Sequence, residues 1–418
     1  MRSRWLAAGV GAALIGVSFA VFLLSSRGFD ATRGDLFYLA DAFLHGRTWL
    51  PFALGPYDIV FGGIDGQTGL TRLYVPFAPF PAIALMPIVA VIGPIRADNW
   101  QPIINSALAA ADVWLAYWLV RRIGVGSIRD ALFLAVLMGF STQIWWVTTR
   151  GGVWHTGHLL AVLLTLAALI EVFGKRRAIL LGLLGGAAFL TRAPLAFAIP
   201  FYLAVIRQRH VGQREGTPPS GWRSWRDLRT WPVEGWLMAA IAVSPFVAFF
   251  LLYNWQRFGT PLESGYSLAT LPPWLDQIRA QGLFSVSHLG MNVDYLFWHL
   301  PIQIPTFPFF MPDGLGMSIF ITSPALLRAV RAPWRDPVVG RLAIGLGITA
   351  VLTLLPNLLY YGGGWLQYGY RYALDSIPFV FALAAMASVR HGFDWKWKLL
   401  TIFGVIVGLG SVYWAYPR

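Results

Sequence analysis

Asp35 heads the stretch GDLFYLADAFLHGR (34–47), and four later stretches set charged or titratable side chains among glycines and prolines. They are TTRGGVWHTGH (148–158), GGAAFLTRAPLAF (185–197), YNWQRFGTPLESGYS (253–267) and YYGGGWLQYGYRYALDSIP (360–378). A positioned carboxylate can take the proton of a hydroxyl. An arginine binds phosphate oxygens bidentately and stays charged at membrane depth. Together these residue types suit a lipid-linked phosphate donor and an acceptor hydroxyl activated by the carboxylate.

Each candidate also has a plainer reading. Leu36, Leu39, Ala40, Phe43 and Leu44 recur at helical spacing between Gly34 and Gly46, so a short amphipathic helix is expected, lying in the membrane interface with its apolar face down. Asp35 would then stand at its N-terminus as a cap or serve as a base. His155 and His158, at i and i+3, share a helix face and could bind a metal. No third ligand is adjacent, which favours hydrogen-bonding roles in a polar cavity and leaves a divalent metal as the alternative. Arg192 sits in an otherwise apolar run before Pro194 and either faces a cavity or is tied to nearby carbonyls. Glu263 and Arg257 could be a surface pair. Arg371, which precedes an apolar segment, could bind an anion or snorkel, and the tyrosines around it, Tyr368 apart, read equally as interface anchors.

The elements that must position these groups follow from composition. The 418-residue chain is 57% hydrophobic and 12% charged, with no cysteine. That excludes disulfides and cysteine metal sites, and apolar runs of about 17–20 residues predict an all-α polytopic membrane protein. The net charge of +13 would suggest nucleic acid in a soluble protein; here its placement between apolar runs gives a better account, with membrane lipid as the partner.

Crossings are expected near Trp5–Leu24, Ile103–Val120, Ala131–Val147, Trp154–Phe173, Trp236–Leu252, Gly316–Leu327, Leu342–Leu359, Ala373–Ser388 and Leu399–Trp414. Ala178–Ile206, broken by Arg192 and Pro194, is expected as a hairpin of two short helices, and proline-rich Val75–Gly93 as a segment that does not cross. This arrangement of about eleven crossings collects most of the Lys and Arg on the N-terminal, inner side. Letting Val75–Gly93 cross would move Arg121, Arg122 and Arg129 outside. The chain reads as one transmembrane domain, with outer loops 25–102 and 253–315 and no separate soluble domain. Acids including Asp30, Asp35, Asp58, Asp65 and Glu263 fall on the outer side, and Arg207–Gly235 forms a basic inner loop.

In this order the motifs resemble the GT-C superfamily of integral membrane glycosyltransferases, which includes protein O-mannosyltransferases and aminoarabinose transferases. Asp35 of GDLFYLADAFLHG matches the early acid of the first outer loop, which carries in-plane helices in that superfamily. VPFAPFPAIALMPIVAVIG, AYWLVRRIG, FLTRAP and YGYRYALDSIP match its later signatures. Two positions depart: His155 and His158 stand where many relatives have an acid, and Tyr370 stands where many have proline. The resemblance implies an inverting transfer, in the plasma membrane, of a sugar from a polyprenyl phosphate to a hydroxyl of a glycan, lipid or protein at the outer face. It implies Asp35 as base, with Arg371, Arg192, Arg150, Arg72 and Tyr368 around the donor phosphate. His155, His158, Asp58, Asp65 and Glu263 would line the acceptor cavity. A transporter of lipid-linked sugars and a noncatalytic subunit with the same fold are the alternatives.

Overall fold

The computed structural model describes residues 2–26, 34–215, 232–307, 309–364 and 366–414. Asp30 and much of the expected basic loop Arg207–Gly235 lie outside the described residues.

Helix α1 (Arg2–Ser25) leads to α2 (Asp35–Leu44), a β-hairpin of β1 (Val60–Ile64) and β2 (Thr71–Tyr74), α3 (Phe80–Ile92) and α4 (Pro94–Asn99). Then come α5 (Gln101–Ile123), α6 (Ile128–Phe140), α7 (Ile144–Arg150), α8 (Val153–Val172), α9 (Ala178–Thr191), α10 (Ile199–Glu215) and α11 (Val233–Phe258). Short helices α12 (Pro273–Arg279), α13 (Leu289–Val293) and α14 (Ile319–Thr322), with a second small hairpin, precede the long α15 (Gly340–Leu359), α16 (Ile377–His391) and α17 (Trp395–Trp414).

Among the described residues five helices are long and apolar enough to cross a membrane: α5, α8, α11, α15 and α17. The pair α6 and α7, bent by 45°, makes a sixth. Helix α3, at 13 residues, extends about 20 Å, short of the roughly 30 Å hydrocarbon core. A proline and a glycine mark its bounds: Pro81 occupies a position near the N-terminus where no N–H is needed, and Gly93 ends the helix with φ 79°.

Ala178–Ile206 does reverse on itself. Gly185 faces Ile199 and Tyr202, while Ala178 and Ile206 both lie against Gly235. Pro194 lacks the N–H that a continuing helix needs, so α9 stops at Thr191 and Arg192 is extended, with φ −149° and ψ 115°. Helix α11 packs closely on α9 because Gly182 has no side chain; a Cβ there would fall 2.5 Å from Ala239 O.

Four expectations are corrected. The chain is not wholly helical, since Val60 pairs with Tyr74 and Phe61 with Leu73 in the first hairpin. Gly316–Leu327 is not one continuous helix but the four-residue α14 followed by a 3-10 helix, Pro324–Arg331, because Pro324 interrupts the run. The apolar face of α2 is buried in protein rather than turned to lipid: Leu36, Leu39 and Ala40 join Val75, Leu85 and Val89 in one core. Finally, Gly34, not Asp35, is the N-cap of α2; Asp35 stands in its first turn.

The charges sort to two ends. At one, Lys398 pairs with Asp130 (2.7 Å), Arg390 with Asp336 (3.6 Å) and Arg177 with Glu171 (2.9 Å). All of these lie in or beside segments expected on the inner side. The opposite end carries the candidate site.

Candidate active site at one end of the helices

Three breaks in helical structure bring the polar groups together. The first is the turn between α7 and α8, where Gly151 and Gly152 take φ 59° and 87°, values that side-chain-bearing residues rarely adopt. Helix α5 holds this turn: Gln101 Oε1 accepts from Gly152 N–H at 3.0 Å, and Thr156 Oγ1 donates to Asn105 Oδ1 at 3.0 Å. The second is the reversal at Arg192. The third is the 3-10 turn Arg371–Asp375, which precedes α16.

At the centre Arg192 grips Asp375 with two hydrogen bonds, Nε to Oδ1 and Nη2 to Oδ2, the latter 2.8 Å. Asp375 is fully buried and also accepts from Asn357 Nδ2 at 2.9 Å. His158 Nδ1 lies 4.0 Å from the same carboxylate. The Tyr372 ring stands between two cations and a histidine: the guanidinium of Arg371 is 5.1 Å from its centroid, that of Arg192 is 5.5 Å, and the His158 ring is 5.8 Å. Such distances favour a positive charge over the ring face.

His155 Nδ1 bonds Gly151 O, and its ring meets Trp146 edge-on at 5.1 Å. Nε2 of His155 and both ring nitrogens of His158 are buried without a hydrogen-bond partner among the described residues. Arg371 lies within electrostatic reach of both histidines, Arg192 of His158, and Arg150 of His155. The expected group Arg150, His155, His158, Arg192 and Arg371 is thus gathered in one place. Among the described residues no three His, Asp or Glu side chains converge as a metal site.

Asp35 is 1% exposed. It neighbours Asp98 of α4: Gly34 packs directly on the Asp98 carboxylate, and the Asp98 pKa is raised first by burial and then by the charge of Asp35. Val153, at the start of the histidine-bearing helix, sits in the same core as Leu36 and Phe37. Asp35 therefore belongs to the same end of the molecule as the arginines.

The segments 25–102 and 253–315, with the stretch that follows α15, meet this cluster through tyrosines. Tyr266 is within electrostatic reach of Arg192, Tyr372 and Asp58, and burial raises its pKa. Tyr361, beside Asp58 and Arg279, is pushed up to about 12, chiefly by burial. Asp58 adopts φ 57° and donates its N–H to Thr270 O at 2.8 Å, tying the first loop to the second.

Other expected residues are committed elsewhere. Asp65 accepts from Arg72 (2.5 Å) and Thr68 (2.7 Å) inside the first hairpin, and Arg72 chiefly, with Thr68, lowers its pKa to about 2. Glu263 accepts from Gly265 N–H and Ser267 Oγ. Arg257 does not form a surface pair with it. It is buried, donates to Val75 O (2.9 Å) and Asn254 Oδ1 (2.9 Å), and lies 3.7 Å from the Tyr253 ring centroid. Tyr368 is buried, and its hydroxyl has no hydrogen-bond partner among the described residues.

Sequence reasoning overlooked Asp375 and Tyr372. A signal was present: an aromatic directly after Arg371 and an acid four positions after it, in a chain that strands one arginine in an apolar run.

No protein-family model and no curated protein matches the chain. Among solved structures it is similar to ArnT from Cupriavidus metallidurans bound to undecaprenyl phosphate, with TM-score 0.47 and 14% identity over 91% of this chain and 60% of that one. It is also similar to the Archaeoglobus fulgidus oligosaccharyltransferase tethered with an acceptor peptide, with TM-score 0.41 and 13% identity over 96% of this chain and 54% of that one. A third likeness is to AglB from Archaeoglobus fulgidus in complex with an inhibitory peptide and a dolichol-phosphate, with TM-score 0.42 and 12% identity over 99% of this chain and 55% of that one. The chain spans between 54% and 60% of the length of these proteins. At this depth of similarity its own residues must carry the functional reading.

Proposed function

We propose that the protein is an inverting glycosyltransferase that moves a sugar from a polyprenyl phosphate to a hydroxyl acceptor. The observation that carries this reading is the convergence of Arg371, Arg192 and His158 on Tyr372, with His155 three residues before His158 on the same helix, at the end of the molecule that also buries Asp35. Asp35 accepts the acceptor proton as the acceptor oxygen attacks the sugar C1. The C1–O bond to phosphate breaks, and its electron pair leaves with polyprenyl phosphate. The leaving group gains one negative charge, so it needs fixed cations rather than a second acid.

Arg371 and Arg150 are assigned to that phosphate. Arg192 assists with the three N–H donors that Asp375 leaves over. His155 and His158 line the hollow as neutral hydrogen-bonding groups, and Asp58 faces the acceptor. The topology that goes with this assignment has about eleven crossings, an inner N-terminus and the site at the outer leaflet.

The test is incubation of purified protein with a panel of polyprenyl-phosphate sugars, following release of free polyprenyl phosphate. Transfer or hydrolysis with one donor is expected, reduced about 10²–10⁴-fold in Asp35→Asn. Intact donor throughout the panel would favour a transporter or a noncatalytic subunit.

A further inference from the structure

Between His299 and Asp313 the chain reads LPIQIPTFPFFMP, without one charge. Ile302–Gln303 (β3) pairs antiparallel with Phe310–Met311 (β4), making a small hairpin within the second outer loop. Trp298, Leu300, Ile302, Phe307, Phe309 and Phe310 are all exposed, Phe307 at 66% and Phe310 at 59%. A contiguous apolar surface of this kind marks an interaction site rather than a water-facing loop.

Its position identifies the partner. The Phe307 ring lies 6.1 Å from that of Tyr413, in the last turn of α17, and β4 packs on that helix. Only 28% of the apolar stretch of α17 is buried in protein, and Ile402, Ile406 and Leu409 project outward. The hairpin therefore lies beside the last turn of α17 and widens the outward apolar surface of that helix. At its base the charges reappear: His299 bonds Asp294 at 2.8 Å and Asp313 at 2.6 Å.

We propose that residues 300–307 and 309–312 form a membrane wedge whose partner is the lipid leaflet beside the C-terminal end of α17, with the Asp294–His299–Asp313 group at the headgroup level. Aromatic side chains favour that depth, and an apolar tip above a charged base is the pattern of interfacial anchors. The chain that follows the wedge is hydrogen-bonded to the candidate site. Gly314 O and Leu315 O both accept from Gln367, whose Oε1 accepts from the Arg371 N–H at 3.2 Å. This inference needs the chain to span a membrane and is independent of sugar transfer.

The absence of cysteine makes the test direct. Phe309→Cys and Leu300→Cys each carry one environment-sensitive fluorophore in the full chain, reconstituted in phosphatidylcholine nanodiscs. Ile406→Cys on α17 serves as the lipid reference, and Gln67→Cys in the first hairpin as the water reference. The expected result is blue-shifted emission at 309 and 300, quenched by spin-labelled lipid and shielded from iodide, as at 406. Iodide quenching at 309 and 300 equal to that at 67, with 406 still lipid-quenched, would overturn the wedge. So would shielding from both quenchers, which would mean protein, such as a second copy, covers the hairpin. A label at 406 that also reads as water would instead overturn the membrane embedding on which the wedge depends.

Discussion

Replacing Asp375 with asparagine removes the charge that holds Arg192 while keeping the shape of the side chain. Asp375 is fully buried in the 3-10 turn before α16, and Arg192, at the reversal between α9 and α10, has a side chain only 17% exposed, so bulk water can take over the guanidinium only in part. With the two charge centres about 4 Å apart, their attraction is about 4 kcal/mol at an effective dielectric constant of about 20. The amide that replaces the carboxylate still accepts one hydrogen bond, worth about 1 kcal/mol. The net loss should be about 3 kcal/mol, at the lower end of the range for breaking a buried pair. The assay is a double-mutant cycle by denaturant unfolding in detergent, with Asp375→Asn, Arg192→Gln and the double variant. The double variant should be no less stable than Asp375→Asn alone, because it removes the stranded cation. An Asp375→Asn loss under about 0.5 kcal/mol, or strict additivity, would refute the reasoning that this carboxylate fixes the arginine.

Other consequences can be checked independently. Burial opposes a charged His299, but hydrogen bonds to Asp313 and Asp294 outweigh it, so its pKa is raised. A raised folded pKa gives stability that is full below the unfolded value of about 6.5 and lost as pH rises through the folded value. His299→Gln should flatten that segment of the stability–pH curve; parallel curves would contradict it. A Cβ at Gly182 would meet Ala239 O, so Gly182→Ala should destabilise by about 1–3 kcal/mol through forced separation of α9 and α11, read from unfolding midpoints. Tyr372→Leu should raise the donor KM about tenfold with a smaller effect on kcat, while Tyr372→Phe keeps the ring and most of the affinity, as about 0.5–2 kcal/mol per cation implies; equal losses in the two variants would remove the ring from the account.

What could be read from the sequence was local, and what could not was long-range. The break at Arg192 was legible because Pro194 cannot continue the hydrogen-bond ladder. The helical spacing of Leu36, Leu39 and Ala40 was legible too, but not its cover, since α3 reaches it from beyond the first hairpin. That hairpin was missed because its register is irregular between Phe61 and Ile64, which hides the alternation that marks a strand. Arg150, His155, His158, Arg192 and Arg371 were singled out from residue type and loop position. Asp375 as the partner of Arg192 was not, because the two are 183 positions apart and only the packing of the 3-10 turn before α16 on α8 and α15 brings them together. Arg72 and Asp65, read as separate candidates, lie close enough in one hairpin to pair with each other.

The most direct measurement is a cryo-electron microscopy map of the full chain with added polyprenyl phosphate. The account predicts phosphate density within hydrogen-bond distance of the Arg371 guanidinium, with the Asp35 carboxylate facing the same hollow and the lipid tail leaving between helices. Phosphate bound at the basic end near Arg177 and Arg390, or Asp35 turned away from an occupied site, would contradict it.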